Sequence, residues 1–115
     1  MAASLDGRLF APVADPEGGE VGTSTRFRYH EQDGRIRADY DGGDIERGHL
    51  LGTRDGDRLD FRYVQLRRDG RTSTGHCVSR VVELPDGRLR LEEAWEWESQ
   101  EGRGTSVVEE LPAQR

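Results

Sequence analysis

Aspartate followed by glycine occurs six times in this chain, at Asp6, Asp33, Asp41, Asp55, Asp69 and Asp86, and most of the runs between these pairs alternate apolar with polar residues. The pair suits a tight hairpin, because a type I′ turn needs positive φ at both central positions, which Asp tolerates and Gly adopts without penalty. Strict alternation puts one face of a strand in a core and the other in water. Little is left for helix. The one helix-like stretch, RLRLEEAWEWE, has its apolar residues at 89, 91, 95 and 97, which follow a period of two.

The turns imply a register. With Asp33 and Gly34 as a two-residue loop, Gln32 faces Arg35, Glu31 faces Ile36, Tyr29 faces Ala38 and Phe27 faces Tyr40, so the apolar faces coincide. The same assumption at Asp69 and Gly70 sets Gln65 against Thr74, Tyr63 against His76, Phe61 against Val78 and Leu59 against Arg80. At Asp86 and Gly87 it sets Val82 against Leu91, Arg80 against Glu93, Val78 against Trp95 and His76 against Trp97. Both hairpins turn the even-numbered side chains of their shared strand inward and Cys77 outward. Between a Gly42 and Gly43 turn pairing Tyr40 with Ile45 and an Asp55 turn pairing Phe61 with Leu50, the inward parity changes. A bulge is required there, and Gly48 is its natural place.

Strands are expected near 8–13, 23–31, 35–41, 44–53, 58–68, 71–84, 88–98 and 104–111, with DPEGGEVG, Asp15 to Gly22, as the one longer loop. Sequential antiparallel strands with short connections form a meander whose edges closure removes. The expected fold is therefore a single all-β domain over residues 1–115, an antiparallel up-and-down barrel of about eight strands, with a two-sheet sandwich as the alternative.

Composition narrows the function classes. A net charge of -6 argues against nucleic acid and anionic membranes as partners. All seventeen basic residues are Arg, so no lysine is present to form a Schiff base. Cys77 is the one cysteine, and no apolar run approaches the length of a membrane span or a signal peptide, so the expected location is cytoplasmic. His30, His49, His76 and Cys77 lack metal-ligand spacing, and GGEVG is neither a dinucleotide fingerprint nor a P-loop, so no metal and no cofactor are expected. Outward charges such as Arg26, Arg28, Arg35, Arg37, Arg62, Glu92, Glu96 and Glu98 read as a mixed, solvated face.

The segments DGRLFAPV, TRFRYHEQDG, DYDGGDIERGHLLGT, LDFRYVQ, GHCVSRVVELPDGRLRLEEAWEW and GTSVVEE resemble a small all-β family sometimes labelled N-acetylglutamate synthase, and the build resembles the lipocalin or calycin barrel. The resemblance implies the fold class and no catalytic residues. An acetyltransferase would need a pyrophosphate-cradling turn followed by a helix, whereas QEGRGT has Arg103 where a glycine belongs and no helix follows.

LEEAWEWES places both tryptophans and Glu93 on one expected inward face. The candidate ligand-binding set is Tyr29, Tyr40, Tyr63, His76, Arg80, Glu93, Trp95 and Trp97: aromatic walls around a few polar groups, as in a cup for a small, partly apolar molecule. Arg80 would anchor a ligand carboxylate or simply pair with Glu93. Glu93 and His76 are the acid–base candidates if the same cup hosts a cofactor-independent cyclase or isomerase. A third outcome is a structural module whose core is filled by these side chains and which dimerises through an outer sheet face.

Overall fold

Asp33 and Gly34 both adopt positive φ, 53° and 73°, and close the hairpin expected of them. Gln32 pairs with Arg35, Tyr29 with Ala38 and Phe27 with Tyr40. The computed structural model describes residues 3–15 and 18–112; Pro16 and Glu17 of the expected long loop, and the ends of the expected 1–115 domain, lie outside the described residues. Among the described residues the strands are β1 (Leu9–Pro12), β2 (Arg26–Gln32), β3 (Arg35–Gly42), β4 (Ile45–Asp55), β5 (Arg58–Arg67), β6 (Thr72–Glu83), β7 (Leu89–Trp97) and β8 (Arg103–Glu110). Each pairs antiparallel with its neighbour in sequence, and β1 closes on β8 to complete the barrel. Closure leaves no unpaired edge, and the sandwich alternative does not form.

Two turns hold a different number of residues from that expected. In the β5–β6 connection the Arg67 amide donates to the Arg71 carbonyl at 2.8 Å across Arg68, Asp69 and Gly70, and the Gly70 amide donates to the Arg67 carbonyl at 2.9 Å. The β6–β7 connection does the same with Leu84 and Arg88 around Pro85, Asp86 and Gly87. Each is a type I turn followed by a left-handed glycine, Gly70 at φ 90° and Gly87 at φ 88°. Neither aspartate takes positive φ; each accepts the amide two residues on, Asp69 from Arg71 and Asp86 from Arg88. Three residues in place of two move β6 by one position against both neighbours. Phe61 therefore faces Cys77, Leu59 faces Ser79, and Leu91, Glu93, Trp95 and Trp97 face Val81, Ser79, Cys77 and Gly75.

The expected parity change in β4 is present, placed at Glu46: Ile45 pairs with Arg67 while Arg47 pairs with Leu66. Tyr40 faces Gly48 in place of Ile45. The Asp55 turn closes around Gly56 and Asp57, so Leu50 faces Tyr63 and Gly52 faces Phe61. That displacement is by two residues of pairing and leaves every side chain on its expected face.

Inside, the barrel is layered. Leu5, Ile36, Leu59, Leu89, Leu91 and Val108 close the end reached by the β2–β3, β4–β5 and β6–β7 turns. At the other end Phe27, Tyr40, Phe61, Tyr63, Trp95 and Trp97 stand beneath the β1–β2 loop. Outward positions along β3 carry Arg35, Arg37, Asp39 and Asp41, the opposite of the apolar band a lipid-facing strand presents. No helix of the described residues is long and apolar enough to cross a membrane.

Small residues seat the large rings. Tyr40 lies over Gly48, Tyr63 over Gly75 and Trp95 over Gly104, each where a Cβ would collide with the ring. At Gly104 an added methyl would meet Trp95 Cζ2 at 2.7 Å and Cη2 at 2.9 Å. Gly104→Ala is thus expected to cost about 1–3 kcal/mol by overpacking and to shift the tryptophan emission. Unchanged emission and unfolding midpoint would show that the ring does not sit there.

Candidate functional site

The aromatic half of the barrel surrounds a cavity of about 50 Å³ lined by rings from four strands and by Gly19, Glu20 and Val21 of the β1–β2 loop. Phe27 stacks on Tyr40 with centroids 4.5 Å apart, Trp95 and Trp97 are tilted at 5.6 Å, and Tyr63 meets Trp97 edge-on at 5.7 Å. These are geometries in which the positive edge of one ring meets the negative face of another, or in which two faces are offset. The Trp97 indole N–H donates to the Gly18 carbonyl at 3.2 Å, which ties the loop to the rim.

The floor of the cavity is polar. Glu93 projects inward from the middle of β7, with the Ser106 hydroxyl donating to Oε1 at 3.0 Å and the Ser79 hydroxyl to Oε2 at 3.5 Å. Glu93 keeps partial exposure as a whole residue, because it also lines a groove on the outside of β6–β8. Its carboxyl is packed among protein atoms, and those surroundings govern its titration: burial pushes the pKa up to about 7, the two serine hydrogen bonds pulling only part of the way back. Near neutral pH it is therefore shared between donor and acceptor forms. Tyr29 is fully buried beside this layer, edge-on to Phe10 at 5.2 Å. Its hydroxyl finds no hydrogen-bond partner among the described residues, and burial, then the nearby Glu93, hold it in the protonated form.

The structure brings together Tyr29, Tyr40, Tyr63, Glu93, Trp95 and Trp97, and it removes His76 and Arg80 from the set. Both sit on the outer face of β6, a consequence of the three-residue turns. His76 faces Arg62, and its Nε2 lies 2.6 Å from Asp60 Oδ1. That bond is the main influence holding the Asp60 carboxyl below its usual value. Arg80 is exposed and opposite Glu92, so the expected Arg80–Glu93 pair does not form. Cys77 takes the inward place, buried at 3.6 Å from Ser79 Oγ. Burial raises its thiol pKa strongly, so it is a small apolar wall residue rather than a nucleophile.

Several site residues escaped the sequence reading. Gln65 was expected inward, but its role was not; Ser73, Ser79 and Ser106 are short polar residues with no motif around them. Glu20 gave no signal at all, because a loop carboxylate in a glycine-rich segment looks like any other exposed acid. In the structure it is folded over the barrel mouth, its side chain 10% exposed.

A family model described as Avidin-like protein matches residues 3–111. The chain belongs to the avidin-like protein family. The closed eight-stranded antiparallel barrel and its buried aromatic cluster agree with that membership. No curated protein and no solved structure matches the chain. Family membership fixes the barrel as the scaffold; within it, the chemistry has to be taken from the residues themselves. Among the described residues no three His, Cys, Asp or Glu side chains are grouped as metal ligands would be.

Proposed function

We propose that this avidin-like barrel binds a small, partly apolar molecule in the aromatic half of its interior, with a neutral polar group of the ligand directed at Glu93. The observation that carries the reading is the combination of aromatic walls with the Glu93 carboxyl on the same cavity, and with an unpartnered, buried Tyr29 hydroxyl close to Glu93 behind it. A core selected only for stability has no use for either, since a buried unmatched polar group costs about 1–3 kcal/mol. Protonated, Glu93 would donate to a ligand acceptor; ionised, it would accept from a ligand donor.

Size defines how binding occurs. About 50 Å³ is room for a few waters, and a dry site for benzene is about three times larger. A ligand therefore enters by replacing Gly19, Glu20 and Val21 above the rings rather than by filling a ready void. The same small volume supports the second reading, a structural module with a filled core. Of the two acid–base candidates only Glu93 meets the cavity, so a cyclase or isomerase on this scaffold would rest its proton transfer there.

Titration with benzyl alcohol, followed by tryptophan fluorescence, separates these readings. Binding should shift emission in the wild type and lose most of its signal in Trp97→Phe. A signal unchanged in both Trp95→Phe and Trp97→Phe would place the probe elsewhere and favour the structural module.

A further inference from the structure

We propose that Asp55–Gly56 is a site of spontaneous isoaspartate formation, set apart by the fold from the other five Asp-Gly pairs, and that the rearranged turn loosens the closed end of the barrel. The Gly56 nitrogen attacks Cγ of the protonated Asp55 acid. A new N–Cγ bond replaces the C–OH bond, the hydroxyl leaves with the amide proton as water, and a five-membered imide closes. Water then opens the imide at one of its two carbonyls. Cleavage at Cγ returns aspartate, whereas cleavage at the main-chain carbonyl leaves isoaspartate, with the chain running through the β-carbon. Glycine obstructs the attack least, because it has no Cβ.

The fold restrains the other pairs. The Gly7 amide donates to the Tyr29 carbonyl at 2.9 Å, and Asp6 Oδ1 accepts the Glu31 amide at 3.0 Å. The Gly70 and Gly87 amides close their turns on Arg67 and Leu84, while Asp69 holds Arg71 Nε at 3.0 Å and Asp86 holds Arg88 Nε at 2.7 Å. Gly42 lies against the Ser24 carbonyl, where even a Cβ would collide, and Asp41 faces the Arg28 guanidinium at 3.5 Å. Asp33, at φ 53°, opens a type I′ turn, which carries its Cβ nearly opposite the Gly34 nitrogen. Asp55 has none of these restraints. Asp55, Gly56 and Asp57 are all exposed. Neither the Asp55 carboxylate nor the Gly56 amide has a hydrogen-bond partner among the described residues, and the space where a Gly56 Cβ would stand is open. Gly56, at φ 60°, is the first central residue of a two-residue turn, whose amide takes no part in the ladder.

The product differs in shape where shape matters. Isomerisation adds one carbon to the main chain beside this turn, and both central residues of the turn present carbonyls to the barrel. Arg54 Nε donates to the Gly56 carbonyl at 2.9 Å, and the Val81 amide donates to the Asp57 carbonyl at 2.8 Å. The buried Arg54 guanidinium also holds Glu31 and the Ala3 carbonyl through Nη1. A displaced turn withdraws an acceptor from that guanidinium, and a buried donor left unmatched weakens the closed end.

The test incubates the full chain at neutral pH, native in one arm and unfolded in guanidinium chloride in the other. Cleavage after arginine places each of the six Asp-Gly pairs in a different peptide, and synthetic isoaspartyl peptides serve as chromatographic standards. In the native arm the peptide holding Asp55 should gain isoaspartate about fivefold faster or more than those holding Asp69 and Asp86, which must first give up at least one net hydrogen bond. In the unfolded arm that contrast should vanish. Asp55→Glu keeps the charge but would need a slower, six-membered closure, so its peptide should show no gain; near-ultraviolet circular dichroism checks its fold. Native protein aged until this peptide is half converted should unfold at a lower urea concentration than fresh protein, and Asp55→Glu aged alongside should not. Equal gains at all six pairs in the native arm, or a faster gain at Asp69 or Asp86, would overturn the site. An unchanged urea midpoint in the half-converted protein would overturn its link to the closed end.

Discussion

Replacing Arg54 by methionine is expected to lower the stability of the barrel by about 3–5 kcal/mol, the cost of leaving one charge of a buried pair uncompensated. Arg54 lies at the end of the barrel away from the mouth, its side chain only 6% exposed. Nη1 donates to Glu31 Oε1 at 2.7 Å and to the Ala3 carbonyl at 2.8 Å, and Nε donates to the Gly56 carbonyl at 2.9 Å. The same Glu31 oxygen accepts the Leu5 amide at 2.9 Å, which pins a fully buried leucine under the aliphatic layer. One guanidinium thus joins the N-terminal segment, β2 and the β4–β5 turn. Because a domain of this size has only about 5–15 kcal/mol of net stability, the loss would be plain in a urea titration. Adding Glu31→Gln to Arg54→Met should recover part of it, since the stranded charge is gone. A loss below about 1 kcal/mol would mean that the pair behaves as a surface one.

The second large effect is a change in pH dependence. Glu93 has a folded-state pKa of about 7 against 4.5 for the free side chain, so the folded protein binds its proton more tightly than the unfolded chain does. The contribution of Glu93 to stability is therefore greatest below about pH 4.5 and declines as pH rises to about 7. Above that it remains as a penalty of about 3 kcal/mol for burying the charge. Glu93→Gln removes the penalty while keeping the shape. The variant should match the wild type near pH 4.5 and exceed it by about that amount at pH 8. Asp60, Asp69 and Asp86, whose pKa values are lowered, act in the opposite direction, but they are common to both proteins and cancel in the difference. Parallel stability curves for the two proteins would show that Glu93 titrates as a solvated acid.

How legible this molecule was in its sequence depended on its turns. Asp33–Gly34 behaved as a type I′ turn, and everything built on it, from Phe27 against Tyr40 to Tyr29 against Ala38, was readable in advance. The strands, their order and the need for a bulge in β4 were readable too, because alternation survives errors of one or two residues at strand ends. The inward face of β6 was not. Asp69–Gly70 and Asp86–Gly87 each belong to three-residue loops, and the two registers were displaced by the same amount, so they agreed with each other while both placed His76 and Arg80 inside. One signal distinguished the cases. Pro85 suits the first central position of a type I turn, whereas a two-residue loop would have placed it as the last strand residue, without an amide for the ladder. The faces of β7 were unaffected, since β7 keeps its odd residues inward in either register, and for that reason Glu93, Trp95 and Trp97 were correctly placed. Glu20 was beyond reach, because only the closed barrel brings residues 20, 65, 67, 73 and 100 together.

The central claim is that the aromatic half of the interior admits a small molecule, and a crystal structure of the protein grown with saturating benzyl alcohol tests it most directly. The predicted result is the probe's ring between Tyr63, Trp95 and Trp97, its hydroxyl toward Glu93, and Gly19 to Val21 moved off the mouth. An interior holding only ordered water, with the loop in place and the cavity still near 50 Å³, would contradict it.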